Sequence, residues 1–172
     1  MKKVIYAILV MILSVPLSGY TVKGGVTYTV ETARKEAFAD VEYTLPKSII
    51  NAHKTDPNYK ENMKAKSNGV NRLSDRYITY YDDGGYGIVY KANRYYEFYY
   101  YPNGKLELIG KRTSLVRPCK SYKYNIKAEL EEVVLYVDKE NSYIFTPTGQ
   151  LKVHWFGKKG YDMQGNIIIE EY

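Results

Sequence analysis

The stretch from Tyr95 to Gly110 constrains the fold more than any other part of the chain. A run of mostly aromatic residues, Tyr-Tyr-Glu-Phe-Tyr-Tyr-Tyr, precedes Pro102-Asn103-Gly104, and Lys-Leu-Glu-Leu-Ile-Gly follows. Aromatic rings pack well on the pleated surface of a strand, and Pro, Asn and Gly supply the backbone angles of a tight turn. The stretch therefore predicts a β-hairpin.

Side chains alternate between the two faces of a strand, which divides the residues of this run into two sets. The first set is Tyr95, Glu97, Tyr99 and Tyr101, and the second is Tyr96, Phe98 and Tyr100. The chain has 21 tyrosines and 4 phenylalanines, and a tyrosine hydroxyl can stay in water while its ring packs. We therefore expect the face with Phe98 to form core and the other face to be exposed and rich in tyrosine.

An exposed tyrosine face allows two interpretations. The rings of neighbouring strands can pair simply to stabilise the sheet, or they can stack on sugar rings or on peptide. The second interpretation makes Tyr95, Tyr99 and Tyr101 candidate binding residues, together with Trp155, where aromatic residues recur at 154–156. A ligand would bridge these segments if they are neighbours in space.

The N-terminus has the layout of a secretory signal peptide. Lys2 and Lys3 precede an apolar run from Val4 to Val15, and cleavage is predicted after Gly19. The run is shorter than the roughly 20 residues that a transmembrane helix needs. We therefore expect a protein that is secreted or held in the periplasm or cell envelope, with no transmembrane segment after cleavage.

The charge distribution argues against a nucleic-acid partner. Without residues 1–19, 23 of the 25 basic and all 19 acidic residues remain, which gives a net charge of +4 with the two signs interspersed. A nucleic-acid interface would show a basic patch or stripe instead. The partners expected of an exported chain with this composition are glycan, peptidoglycan or protein at the cell surface.

The chain beyond the leader divides into two parts that together have the length of one domain. Residues 20–76 predict a helical or irregular segment, in which Thr29 can cap one helix and a second helix runs from Pro57 to Lys66. Residues 77–172 alternate strand patterns with turns. The expected fold class is mainly β (α+β): an antiparallel β-meander of hairpin repeats with a small helical N-terminal part.

Residues 77–172 contain an internal repeat with the pattern aromatic-x-aromatic, a turn with Asn or Asp, Gly, and then x-Leu. The units are Tyr80–Tyr86, Tyr99–Leu106, Tyr122–Leu130, Tyr143–Leu151 and Tyr161–Ile167. Ala128 stands at the glycine position of its unit, which leaves the type of that turn open. The pattern resembles the YD-type hairpin repeats of RHS proteins and the MORN-like hairpins of bacterial surface and antitoxin-type proteins. The resemblance implies a curling antiparallel sheet that serves as a scaffold or binding surface without catalytic residues.

Few residues suggest catalysis or metal binding. His53 and His154 are far apart in sequence, and His and Cys do not cluster at zinc-ligand spacing. Cys119 with His154 could form a nucleophile and its base, but Cys119 follows a proline and lacks a predicted helix N-terminus that would activate the thiol. We therefore predict no catalytic residues, no metal and no cofactor.

These observations favour an exported, non-enzymatic binding or structural protein that uses a tyrosine-rich sheet surface. The alternative is a small hydrolase acting on envelope polymers such as glycan or peptidoglycan, because the carboxylate pair of a glycoside hydrolase meets only in the folded chain. No acid lies in an apolar sequence context that would raise its pKa for such a role.

Overall fold

A computed structural model describes residues 20–21 and 27–170, so the predicted signal peptide, residues 1–19, lies outside the described residues. Within them, strands β1 (Tyr20–Thr21) and β2 (Thr27–Tyr28) pair with each other. The helices are α1 (Val30–Phe38), α2 (Lys47–His53) and α3 (Tyr59–Ser67). The other strands are β3 (Arg76–Tyr80), β4 (Tyr86–Tyr90), β5 (Asn93–Tyr100), β6 (Leu106–Arg112), β7 (Cys119–Asn125), β8 (Leu130–Tyr136), β9 (Asn141–Phe145), β10 (Leu151–Phe156), β11 (Lys159–Tyr161) and β12 (Ile167–Glu170).

Strands β3 to β12 form one antiparallel sheet in which the spatial order follows the order of the chain. Each strand pairs with the strands before and after it in sequence, so the sheet is a meander with β3 at one edge and β12 at the other. The predicted fold class, a mainly β meander of hairpins with a small helical N-terminal part, is confirmed.

The turns of the five sequence units share one backbone conformation. The residue at the glycine position has a positive φ in each unit, and its N–H donates to the carbonyl three residues earlier; these residues are Gly84, Gly104, Ala128, Gly149 and Gly165. Ala128 has a φ of 69°, close to the 76° of Gly104. The turn at Ala128 is therefore of the same type as the others, although alanine carries a Cβ that disfavours this conformation.

One face of the sheet is covered by the helices, and we call it the covered face. Cross-strand neighbours Ile88, Phe98, Ile109 and Tyr124 form one row on it. The same core cluster contains residues of all three helices, including Ala37. Phe98 and Tyr100 are 4% and 1% exposed, which confirms that their side of β5 belongs to the core.

Tyrosine hydroxyls of the covered face bind the N-terminal segment, which crosses the strands in the reverse of their order. The donors and acceptors are Tyr143 to Tyr28 O (3.3 Å), Tyr122 to Asp40 O (3.4 Å), Tyr124 to Glu42 O (2.8 Å), Tyr86 to the Asp56 carboxylate (2.7 Å) and Tyr80 to Asn62 O (3.2 Å). The expectation that the tyrosine excess marks an exposed face is wrong for these residues. Four of these five rings are buried, that of Tyr80 is half-buried, and their hydroxyls bind oxygen atoms of the N-terminal segment.

The helices agree in part with the sequence predictions. Thr29 caps α1 with a capping box: the backbone N–H of Thr32 donates to Oγ1 of Thr29, and the backbone N–H of Thr29 donates to Oγ1 of Thr32. The second predicted helix, from Pro57 to Lys66, is found at Tyr59–Ser67. The sequence does not predict helix α2. The helix has seven residues, follows Pro46, leads into a polar stretch and buries one of its residues, Ile50.

Candidate functional site

The face of the sheet opposite to the helices, which we call the open face, carries charged and aromatic side chains. Glu97, Gly110, Lys123 and Glu132 are cross-strand neighbours and form its central row. Among residues 27–170, no helix packs on this side, since the helical residues of the core cluster lie over the covered face. Within these residues, the open face is therefore not covered by a helix and remains available to a partner.

Two acids of the open face, Glu97 and Glu132, are paired with basic residues. Glu97 lies 3.5 Å from Arg112, and Glu132 lies 2.9 Å from Lys123 and also contacts Lys152. Burial opposes ionisation of Glu132, but the two lysines outweigh this effect and hold its pKa below the usual value for a glutamate. Glu132 is thus an ionised, ion-paired carboxylate, which is unsuited to the role of a general acid.

The rings of the open face contact cations and each other. Lys123 Nζ lies 5.5 Å from the centroid of Tyr99, and Tyr99 stacks with Tyr81 at 6.3 Å. Arg112 and Arg117 lie 5.5 and 5.7 Å from the centroid of the Tyr136 ring. Burial raises the pKa of Tyr99 and Tyr136 above the usual tyrosine value, so these phenols stay neutral under physiological conditions.

A cavity of about 270 Å³ opens on this face between β8, β9, β10 and the loops next to them. Its walls include Trp155, Tyr136, Arg117, Lys123, Ser142 and the acidic residues Asp138 and Glu140. Tyr136, Ser142 and Trp155 are cross-strand neighbours on three adjacent strands, so the sheet register itself places the two rings in the same cavity. Aromatic walls with polar and cationic groups at the rim match the composition of small-ligand sites.

The structure places the four predicted binding residues at separate positions. Tyr95 and Tyr101 are each 47% exposed, whereas Tyr99 is half-buried among Lys123 and Tyr81. Trp155 lies on β10, and four strands separate it from β5. The strand that carries the three tyrosines is therefore not next to Trp155, and a single small ligand cannot bridge them.

The hypothetical nucleophile and base are on opposite sides of the sheet. Cys119 pairs with Tyr136 on the open face, whereas His154 stacks on Tyr143 at 4.1 Å on the covered face. Burial raises the pKa of the Cys119 thiol despite the opposing effect of Arg112 and Arg117. This geometry gives no cysteine–histidine dyad. In the described part of the chain, no three His, Cys, Asp or Glu residues are grouped so that they could hold a metal ion.

A buried polar network under α3 was missed by the sequence analysis. Asp56 accepts hydrogen bonds from Tyr86 and from Asn62 (2.7 and 2.8 Å), and Asn62 in turn accepts one from Arg76 (2.8 Å). Arg76 also binds Asp75 and Glu61. Because Arg76 is ion-paired and the carboxylate of Asp56 is hydrogen-bonded, the network is explained by its structural role of fixing α3 on the sheet.

A second concave region lies on the covered face, between α2 and the hairpin of β4 and β5. It is a groove of about 540 Å³ with mainly apolar walls that include Ile49, Tyr90 and Phe98. His53 stacks on Phe98 at 3.7 Å, and burial lowers its pKa although Asp56 opposes this. Polar groups do not converge on this groove as they do on the cavity of the open face, so we regard the cavity as the candidate site.

Comparison with protein-family models, with curated proteins and with solved structures finds no match for this chain. The resemblance to YD-type and MORN-like hairpins therefore stays a prediction. Within the residues that the structure describes, no helix is long and apolar enough to span a membrane.

Proposed function

We propose that this chain is an exported, non-enzymatic binding protein that holds a glycan or peptidoglycan of the cell envelope on the open face of its sheet. The observation that carries the proposal is the cavity in which Trp155 and Tyr136 lie beside Arg117 and Lys123. An aromatic ring can stack on the apolar side of a sugar, and the exposed guanidinium of Arg117 with the hydroxyl of Ser142 nearby can bind carboxylates and hydroxyls.

The central row of the open face does not support the hydrolase alternative. Glu97 and Glu132, two half-buried acids of this row, lie three strands apart, a separation of roughly 14 Å at about 4.8 Å per strand. Carboxyl pairs in glycoside hydrolases are roughly 5–9.5 Å apart. Each of the two acids also has a basic partner, which favours a binding surface over acid–base chemistry.

Co-sedimentation with insoluble peptidoglycan and with other envelope glycans tests the binding proposal. Arg117→Ala should reduce the bound fraction, because Arg117 is exposed, contacts the ring of Tyr136 and borders the cavity. Arg94→Ala is the matched control, since Arg94 is an exposed arginine on β5 away from the cavity. Equal binding by both variants and the unmodified protein, or no binding to any polymer of the panel, would contradict the proposal.

Export is tested separately from binding. The basic start and the short apolar run support cleavage after Gly19, so the natural protein should have a mass that corresponds to a chain beginning at or near Tyr20. Recovery of the intact chain with Met1 from the cytosol would contradict export. That result would leave the binding assay unaffected.

A further inference from the structure

The cavity of the open face is lined by charges of both signs. Its basic residues are Arg117, Lys123 and Lys139, and its acidic residues are Asp138 and Glu140. Carboxylates at a binding site repel a purely anionic polymer, and a neutral sugar needs neither charge. The mixture of signs therefore bears on the kind of ligand that the cavity takes.

The turn that carries Glu140, between β8 and β9, is fixed by hydrogen bonds to its backbone. The carboxylate of Asp138 accepts from Glu140 N at 2.8 Å and from Asn141 N at 2.9 Å, and Gly157 N donates to Glu140 O at 2.8 Å. The side chain of Glu140 is exposed and makes no hydrogen bond or ion pair within the residues that the structure describes. An acid on a fixed backbone is thus left for a ligand.

Arg117 supplies the opposite charge and is also without an acidic partner. Its guanidinium lies 5.7 Å from the centroid of the Tyr136 ring, and among residues 20–21 and 27–170 it forms no ion pair. Elsewhere on the open face, Glu97 and Glu132 each have a basic partner. At the cavity, an acid and a base line one concave space and do not neutralise each other.

The sheet keeps these two charges apart but at the same end. The first residue of β7, Cys119, is opposite the last residue of β8, Tyr136, so the loop with Arg117 and the turn with Glu140 are at one end of the strands. The centres of the two connections are two strand spacings apart, roughly 10 Å at about 4.8 Å per strand. A ligand group that bears both an ammonium and a carboxylate can therefore bind to both residues at once.

We propose that the cavity binds a zwitterionic peptide group, with a carboxylate at Arg117, an ammonium at Glu140 and the ring of Trp155 beside them. This inference rests on the proposed binding function and narrows its ligand to peptidoglycan, whose glycan strands carry short peptides with carboxyl and amino groups. Hydrogen bonds between charged groups are stronger than those between neutral ones. An indole ring also attracts a ligand ammonium that lies over its face. A ligand made of neutral sugars would leave Arg117 and Glu140 without partners.

Equilibrium dialysis with three soluble probes tests the ligand class. The probes are a peptidoglycan disaccharide with a lysine-containing tripeptide, the same fragment with its lysine amine acetylated, and the neutral disaccharide of N-acetylglucosamine. The unmodified protein should bind the first probe most tightly. Acetylation should raise the dissociation constant about tenfold, equivalent to about 1.4 kcal/mol, because it removes the ammonium. The neutral disaccharide should bind more weakly than either peptide fragment.

Glu140→Gln locates the ammonium on the protein. This variant should bind the first probe about tenfold more weakly than the unmodified protein does, and it should bind the acetylated probe with unchanged affinity. The matched control is Glu36→Gln, which changes an exposed glutamate of α1, on the covered side of the sheet. This control should bind all three probes like the unmodified protein.

The possible failures separate this inference from the binding function on which it rests. If the neutral disaccharide binds as tightly as the peptide fragments, if acetylation has no effect, or if Glu140→Gln weakens both peptide probes equally, the zwitterionic ligand is wrong and glycan binding by the open face stands. If none of the three probes binds, both proposals are wrong. The comparison of the two peptide probes uses the unmodified protein, so it does not depend on the folding of a variant.

Discussion

The covered and open faces of the sheet both contain tyrosines but use them in different ways. On the covered face the rings are core, and the hydroxyls of residues such as Tyr124 and Tyr143 donate to carbonyls of the N-terminal segment. On the open face the rings of Tyr99 and Tyr136 lie under lysine and arginine side chains. Tyrosine content alone therefore does not tell which face of a sheet is available to a partner; the groups around each ring do.

The difference has a consequence for binding. Helices and hydroxyl contacts occupy the covered face, whereas the polar groups of the open face pair with one another, as in Glu132 with Lys123 and Lys152. Paired charges leave few sites for a ligand along most of this face. The cavity at Trp155 is where the aromatic and cationic groups of the open face line a concave space.

Adjacent residues on β5 give the largest expected contrast between the two faces. Phe98→Ala removes a ring that is 4% exposed and stacked on His53, and it should lower the free energy of unfolding by about 3–5 kcal/mol. Tyr99→Ala removes a half-buried ring of the open face and should cost about 1–2 kcal/mol. Chemical denaturation of both variants measures the two values. A larger loss for Tyr99→Ala would mean that the faces are assigned the wrong way round.

Two turns with the same conformation differ in their surroundings and give the next contrast. A Cβ at Gly104 would lie 2.6 Å from the ring of Tyr59, which packs from α3, whereas one at Gly165 would meet no atom within 4 Å. Both residues have a positive φ, so Gly165→Ala should cost about 1 kcal/mol from the backbone alone. Gly104→Ala should cost about 1–2 kcal/mol more because of the clash. Equal costs in thermal or chemical denaturation would show that α3 does not pack against this turn.

Removal of single hydroxyl groups tests the assignment of tyrosine roles more finely. Tyr86→Phe takes away a donor to the buried carboxylate of Asp56 and should destabilise the fold by about 1–2 kcal/mol. Tyr136→Phe on the open face keeps the ring under Arg112 and Arg117 and should change stability by less than about 0.5 kcal/mol. The two unfolding free energies should therefore differ clearly. Similar losses of unfolding free energy in the two variants would show that the hydroxyls of the two faces do not differ in their contribution to stability.

The free energy of unfolding should depend on pH in two separate ranges, one for a residue of each face, and both effects should be small. Burial lowers the pKa of His154 on the covered face, so the unfolded chain takes up the proton first and stability falls as the pH drops below about 6.5. The lysines beside Glu132 lower its pKa on the open face, so its contribution is lost only below about pH 4.3. His154→Phe should reduce the slope of stability against pH in the upper window, to which His53 also contributes, and Glu132→Gln should reduce it in the lower one. Unfolding curves measured from about pH 3 to about pH 8 cover both windows and provide the check; if each substitution altered the other window, the assignment would be wrong.

Local features of the sheet could be predicted from the sequence. The turn at Pro102-Asn103-Gly104, the alternation that buries Phe98, and the order of the hairpins follow from turn chemistry and from the period of two along a strand. Alignment of the units placed Ala128 at a glycine position, and the structure gives it a positive φ. Residue propensity alone would not have suggested this, because alanine disfavours that conformation.

Features that depend on contacts between distant segments could not be predicted. The acceptor for the hydroxyl of Tyr124 is Glu42 O, 82 residues away, and the sequence contains no signal for that pairing. The cavity depends on the register that aligns Tyr136, Ser142 and Trp155, and a shift of one residue would turn these side chains to the other face. The separation of Trp155 from β5 does follow from a meander, since strands far apart in the chain are then far apart in the sheet.

Fluorescence of Trp155 is the most direct test of the claim that the open face is the binding surface. Trp155 is the one tryptophan of the chain and lines the cavity, so its emission reports on this site alone. Titration with soluble peptidoglycan or glycan fragments should give a saturable change in emission. The midpoint should move about tenfold to higher concentration in Arg117→Ala, as expected for loss of about 1.4 kcal/mol of binding free energy, and stay unchanged in Arg94→Ala. Emission that does not respond to any fragment, or an equal response in both variants, would contradict the account.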